Sequence, residues 1–220
     1  MKPWERGLFG RLRHDASVVW KSYIDAPFVR ALGDGSLPRE DFRAYLVQDY
    51  LYLNHFARAY ALAAYKAPDL AGMRRAARSM STIVDVEAAL HVSLCAEWGM
   101  TEAEMAATPE TLATLAYTRF LIERGLSGDA LDLMVAMSAC VMGYAEIGDR
   151  LRERGAVENH PYASWINTYA GSDYQAIAEE EADALDALGA RLGAEARYEI
   201  LLAEFTTASR LEAAFWTGAA

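Results

Sequence analysis

The chain lacks the features that would place it in a crosslinked, nucleic-acid-binding or membrane-spanning class. Its 220 residues include two cysteines, Cys95 and Cys140, with no CxxC spacing. A disulfide framework is therefore not expected, and a reducing compartment fits. Basic residues never run beyond a pair and the formal net charge is −10. Phosphate backbones demand a positive surface, so nucleic acid is excluded as the main partner. The opening Met1-Lys2-Pro3-Trp4-Glu5-Arg6 is not followed by an apolar signal core, and no apolar run reads as a bilayer span. No membrane is expected, and the expected location is cytoplasmic. Strand-like alternation is also missing. What is abundant is apolar character, 53% of residues, carried by Ala and Leu at helical period, which excludes a disordered chain. The expectation is an all-α bundle forming a single domain over residues 1–220.

Helix signals divide the chain. A first helix is expected from about Leu8 to Asp25, then a turn at Gly33-Asp34-Gly35-Ser36. Pro38 suits the first turn of a second helix reaching about Lys66. Pro68-Asp69 opens a third, running to about Trp98. Thr101 with Glu104 has capping-box spacing, as does Ser172 with Gln175. A helix over about Thr111 to Arg124 stops at Gly125. The next runs from near Gly128-Asp129 to near Arg154-Gly155, and Asn159-His160-Pro161 opens a short one. Two acidic helices close the chain, the last over about Ala194 to Trp216.

Three of these helices carry a reactive or acidic group on an apolar stripe. Leu133, Met137, Cys140, Tyr144, Ile147 and Leu151 place a thiol and a phenol on one inward face. Asp49 interrupts Phe42, Leu46, Leu53, Phe56 and Tyr60, with Tyr52 on its side. Glu212 interrupts Leu201, Phe205, Ser209 and Trp216, with Phe215 beside it. A buried carboxylate must be partnered, protonated or set against a polar pocket. Read singly, each acid has an ordinary structural role, bonding a Tyr or Arg in the core. Two inward acids and an inward thiol together point to a pocket, and the surrounding aromatics suit a flat ligand.

Gly33-Asp34-Gly35-Ser36-Leu37-Pro38, Phe42, Tyr45, Gln48-Asp49, Tyr52-Leu53 and Phe56-Ala57 open an ordered series. It continues through Glu87 to His91, Ala116-Tyr117-Thr118, Cys140 with Tyr144 and Glu146, Pro161-Tyr162 and Trp165-Ile166. Thr168-Tyr169 and Glu212 with Phe215-Trp216 complete it. Taken together it resembles the thiaminase II (TenA) family, in its cysteine-bearing class. The resemblance implies a haem-oxygenase-like bundle, a homotetramer, and hydrolysis of aminopyrimidines in thiamine salvage, with thiamine cleavage in many members. It also implies residue roles: Cys140 as nucleophile, Glu212 as general acid and base, and Asp49 as the grip on the pyrimidine. Tyr52, Tyr117, Tyr144 and Tyr169 would shape the pocket, and Phe215 would pack on the ring. No metal or organic cofactor is implied. A thiolate added to the pyrimidine makes the ring electron-rich, so the C5-methylene amine can depart and water replace it. Residues 99–111 match the family least.

Two other classes compete. Glu87 and His91 share a stripe with Met80, Val84, Leu94 and Trp98, a spacing that suits either a Glu–His hydrogen bond or part of a metal-dependent oxidase site. His14 stands where fold analogy alone would put a haem ligand, but its charged neighbours make it a solvated histidine. A non-catalytic pyrimidine-binding or regulatory protein would use the same pocket. Cys95 reads as a structural thiol, and Glu179-Glu180-Glu181 as a solvated helix face.

Overall fold

A computed structural model describes residues 1–153, 155 and 160–218, and no strand occurs among the described residues. The chain forms two compact units: residues 1–37 with 134–216, and residues 38–133 with 217–220.

The first unit opens with a 3-10 turn, then α1 (Gly7–Asp15), α2 (Ser17–Ile24) and α3 (Pro27–Asp34). The single helix expected here is thus two, broken at Ala16, where ψ swings to 17°. No Gly or Pro marks the break, so the apolar period runs through it. α3 lies between the expected first helix and the expected turn, and takes in Gly33 and Asp34 of that turn. Its start is set by Pro27 in the first turn, and Gly35 at φ 77° ends it in the left-handed cap.

The second unit holds α4 (Arg39–Lys66), α5 (Leu70–Thr82), a π-turn (Ile83–Glu87) and α6 (Ala88–Ala96). It also holds α7 (Glu102–Ala107) and α8 (Leu112–Ser127). α4 has Glu40 and Asp41 in its first turn and Lys66 in its last, matching the macrodipole. Its buried stripe of Phe42, Tyr45, Leu46, Asp49, Tyr52, Leu53, Phe56 and Tyr60 fills the unit's core. The π-turn inserts a residue into the third expected helix. It moves burial from Val84 (55% exposed) to Ile83 (3%), and the inward line becomes Ile83, His91 and Cys95. The Thr101–Glu104 capping box forms as expected. α8 continues past Gly125, because Leu62 fills the space a Cβ there would need, 2.7 Å away.

α9 (Ala130–Glu153) starts in the second unit and runs into the first. It is long and apolar enough to cross a membrane, against the sequence expectation, yet its apolar window is wholly buried in protein, as in a core helix. Its expected end at Arg154, and Asn159, lie outside the described residues. In the first unit follow α10 (Ala163–Ala170), α11 (Ser172–Leu192) and, after a 3-10 turn, α12 (Tyr198–Gly218). The Ser172–Gln175 box does not form. Gly171, not Ser172, is the cap residue, and the Gln175 amide instead donates to the carbonyls of Ala145 and Tyr169 at 3.0 and 2.9 Å. Glu181 is buried, 4% exposed, so only Glu179 and Glu180 form the solvated face.

Candidate active site

In the first unit, the small residues of α9 let neighbours press close. A Cβ on Gly143 would lie 2.2 Å from the Tyr23 ring, and one on Gly148 would lie 2.5 Å from the Tyr169 main chain. Tyr23 therefore lies on α9 between Cys140 and Tyr144, and α10 ends on the same helix. Tyr144 then meets Tyr169 at 4.8 Å, Trp165 at 5.8 Å and Trp216 at 5.6 Å between ring centroids. Trp216 also stacks on Tyr23 and Phe28. Cys140 stands one helical turn before Tyr144, and Glu212 one turn before Trp216, so thiol and acid come from the two helices this aromatic contact joins. Both are buried, 7% and 2% exposed, as is Phe215. The arrangement brings Tyr144 and Tyr169 together. Tyr23 was not foreseen; a lone glycine inside the Met-Ala-Cys run was its only trace in the sequence.

A second acid on α9 has a different purpose. Glu146 accepts two bonds from the Arg13 guanidinium, at 2.8 and 2.7 Å, and one from Trp20 Nε1 at 2.9 Å. Three donors satisfy this buried carboxylate and clamp α1 and α2 to α9. Next to it, Asp149 takes Lys2 and Arg152.

In the second unit, α4 presents Asp49 with Tyr52 on the next turn. Tyr52 stacks on Tyr117 of α8 at 5.0 Å and on Phe56 at 5.2 Å. Asp49 is 3% exposed. Tyr45 donates its hydroxyl to Asp49 Oδ2 at 2.8 Å, and His91 Nε2 meets the same oxygen at 2.7 Å. Two donors on Oδ2 leave the lone pairs of Oδ1 to a further donor. His91 does not bond the Glu87 carboxyl, as its spacing suggested. Its Nδ1 meets the Glu87 main-chain carbonyl at 2.7 Å. Both imidazole nitrogens are thus engaged, and among the described residues no group of three or more His, Cys, Asp or Glu is placed to hold a metal. Tyr45 is legible as the partner one turn before Asp49; His91, forty-two residues on, is not. His14 is exposed. His55 pairs near the surface with Glu110 at 3.1 Å.

The Glu87 carboxyl is pushed up to about 7, first by burial and then by the charge of Asp49, with His91 opposing. Ordinary unfolded carboxyls titrate near 4.5, so the native state holds this proton more tightly. Its ionisation costs stability as pH rises from about 4.5 through about 7. Part of the residue's surface stays open, which trims the effect. Glu87→Gln is expected to stabilise the protein by on the order of 1–3 kcal/mol at about pH 8. The gain should fade toward pH ~5, as thermal melts across that range would read. A gain that grows toward acid pH would contradict the assignment.

Comparison with known proteins places the chain in a family. The model of the TENA/THI-4/PQQC family matches residues 13–220. An aminopyrimidine aminohydrolase of Halalkalibacterium halodurans is 34% identical over 208 residues, covering 93% of this chain and 92% of its own. A solved TenA family transcription regulator from Silicibacter sp. TM1040 aligns with a TM-score of 0.91 at 42% identity, covering 96% of both chains. A Shewanella denitrificans domain of unknown function with a heme oxygenase-like fold aligns at 0.61 and 15% identity, over 95% of this chain and 90% of its own. That last likeness concerns the fold alone, which is all-α and haem-oxygenase-like. With nearly its whole length matched, the chain belongs to the TENA/THI-4/PQQC family.

Proposed function

We propose that this protein is an aminopyrimidine aminohydrolase of the thiaminase II type, acting in thiamine metabolism on a 4-amino-5-aminomethylpyrimidine. Near full-length similarity to the Halalkalibacterium halodurans aminohydrolase supports the reaction class. The observation that carries the assignment to particular residues is Asp49, a buried acid with one oxygen fastened by Tyr45 and His91 and the other left for a ligand donor. In this reading Asp49 Oδ1 accepts from the ring amidine, Tyr52 and Tyr117 flank the ring, and Tyr144, Tyr169 and Phe215 complete the binding set.

The chemistry belongs to Cys140 and Glu212. The Cys140 thiolate adds to the ring carbon next to C5. The electron pair pushed into the ring expels the amine from the C5 methylene, and Glu212 supplies its proton. Glu212 then takes a proton from water, whose oxygen adds to the methylene, and the C–S bond breaks as the ring regains aromaticity. Water and the aminomethylpyrimidine enter; ammonia and the hydroxymethylpyrimidine leave. The exposed apolar residues Leu70, Met73, Val84 and Val86, all in the stretch from α5 through the π-turn, support a homo-oligomer, with a tetramer as the family's assembly. One domain, a cytoplasmic location and no required cofactor complete the proposal.

The test is a substrate panel that compares ammonia release from aminomethylpyrimidine with thiazole release from thiamine. Ammonia release is expected to be the faster reaction, and no release from any aminopyrimidine would refute the proposal. Asp49→Asn should weaken pyrimidine binding by about tenfold or more, since a hydrogen bond to a charged group is lost. Calorimetry returning the wild-type dissociation constant would remove Asp49 from the binding set.

A further inference from the structure

The two nitrogens of His91 face different acceptors, and that difference locates a proton. Nδ1 lies 2.7 Å from the Glu87 main-chain carbonyl. A carbonyl has no proton to give, so Nδ1 must carry one and donate. Nε2 lies 2.7 Å from Asp49 Oδ2, and a bond that short needs one proton between them. With Nδ1 already protonated, the choice is between an imidazolium beside a carboxylate and a neutral imidazole beside a carboxylic acid.

The other contacts decide between these forms. Tyr45 donates to the same oxygen at 2.8 Å, which favours negative charge on Asp49. Glu87 adds a second acid near the imidazole. Burial opposes a charge on His91, but the hydrogen bond to Asp49 and its charge outweigh burial and raise the histidine above its ordinary range. We propose that His91 carries the proton it shares with Asp49 and is a positioning residue, keeping Asp49 an acceptor-only carboxylate with Oδ1 turned to the pyrimidine. This rests on the reading of Asp49 as the pyrimidine grip.

The consequence is a net-neutral pair in a buried place. A carboxylate in that place offers only acceptors, where a carboxylic acid would offer a hydroxyl. The imidazolium removes that option, so the site would select a ligand that presents N–H groups, such as an amidine edge, over one that presents only acceptors.

Nitrogen-15 NMR of histidine-labelled, ligand-free protein tests the proton directly. At about pH 8, above the ordinary histidine range, both ring nitrogens of His91 are expected at imidazolium shifts. A pyridine-like Nε2 would place the proton on Asp49 and overturn the proposal. Combined replacement of His14, His55 and His160 by Gln leaves one histidine signal and assigns it without disturbing the pair. In the kinetic arm, His91→Gln keeps an N–H toward Oδ2 but no charge. KM for the aminopyrimidine is expected to rise about tenfold or more while kcat stays within about threefold. A wild-type KM in that variant would end the positioning role. An imidazolium signal in a protein that releases no ammonia from any aminopyrimidine would uphold the proton assignment and remove the proposed activity instead.

Discussion

Cys140→Ser is expected to lower the rate of ammonia release by more than about a hundredfold, because an alcohol ionises far less readily than a thiol and is the poorer nucleophile and leaving group. The fold should survive the change. Cys140 sits inside α9, and the introduced hydroxyl can turn to the carbonyl one turn back, as Ser209 does to Phe205 O at 2.8 Å. A melting temperature near the wild type with collapsed kcat is therefore the expected pair of readings. Cys95 is the internal control. It is fully buried, and burial pushes its thiol up to about 11, against a small opposing effect of Arg43. Little thiolate forms there at neutral pH. Cys95→Ala should leave kcat unchanged, and alkylation that inactivates the enzyme should mark Cys140. Wild-type turnover in Cys140→Ser would end the nucleophile assignment and leave a binding protein as the better reading.

The inward placement of these groups was legible because helical period is a local property. Asp49, Cys140 and Glu212 interrupt apolar stripes, and all three are buried. What the period could not carry were the places where the winding changes or where two distant segments meet. The π-turn at Ile83–Glu87 shifts the stripe by one residue, so Val84 reads as core and is exposed while Ile83 is buried. The break at Ala16 has no breaker residue, so nothing local announces it. α3 did have its markers, Pro27 and Gly35. Its eight residues show too little period to outweigh the turn signal at Gly33-Asp34-Gly35-Ser36. The bond from His91 to Asp49 joins two elements of the second unit. No spacing rule reaches across such a distance, so the Glu87–His91 pair was given a local partner when its real one was remote. Glu146 shows the converse. It is an inward acid like Glu212 in the sequence, yet Arg13 and Trp20 saturate it, and no helical period reveals that structural role.

Glu212→Gln should lower kcat by about 10²–10⁴-fold, the usual contribution of a general acid–base group, equivalent to about 3–5 kcal/mol of barrier. The amide keeps the shape of the side chain but can neither protonate the departing amine nor accept a proton from water. KM should change little, because the lost interaction develops only as charge moves. Glu212 is 2% exposed between Ser209 and Trp216 on α12, so an acid with a purely structural role would betray itself differently. Its replacement would lower the melting temperature and spare kcat. The double variant separates a shared reaction from two independent defects. If thiolate addition and proton transfer belong to one covalent sequence, Cys140→Ser combined with Glu212→Gln should be scarcely slower than the worse single variant. Losses that multiply would mean that the thiol and the acid do not serve the same turnover.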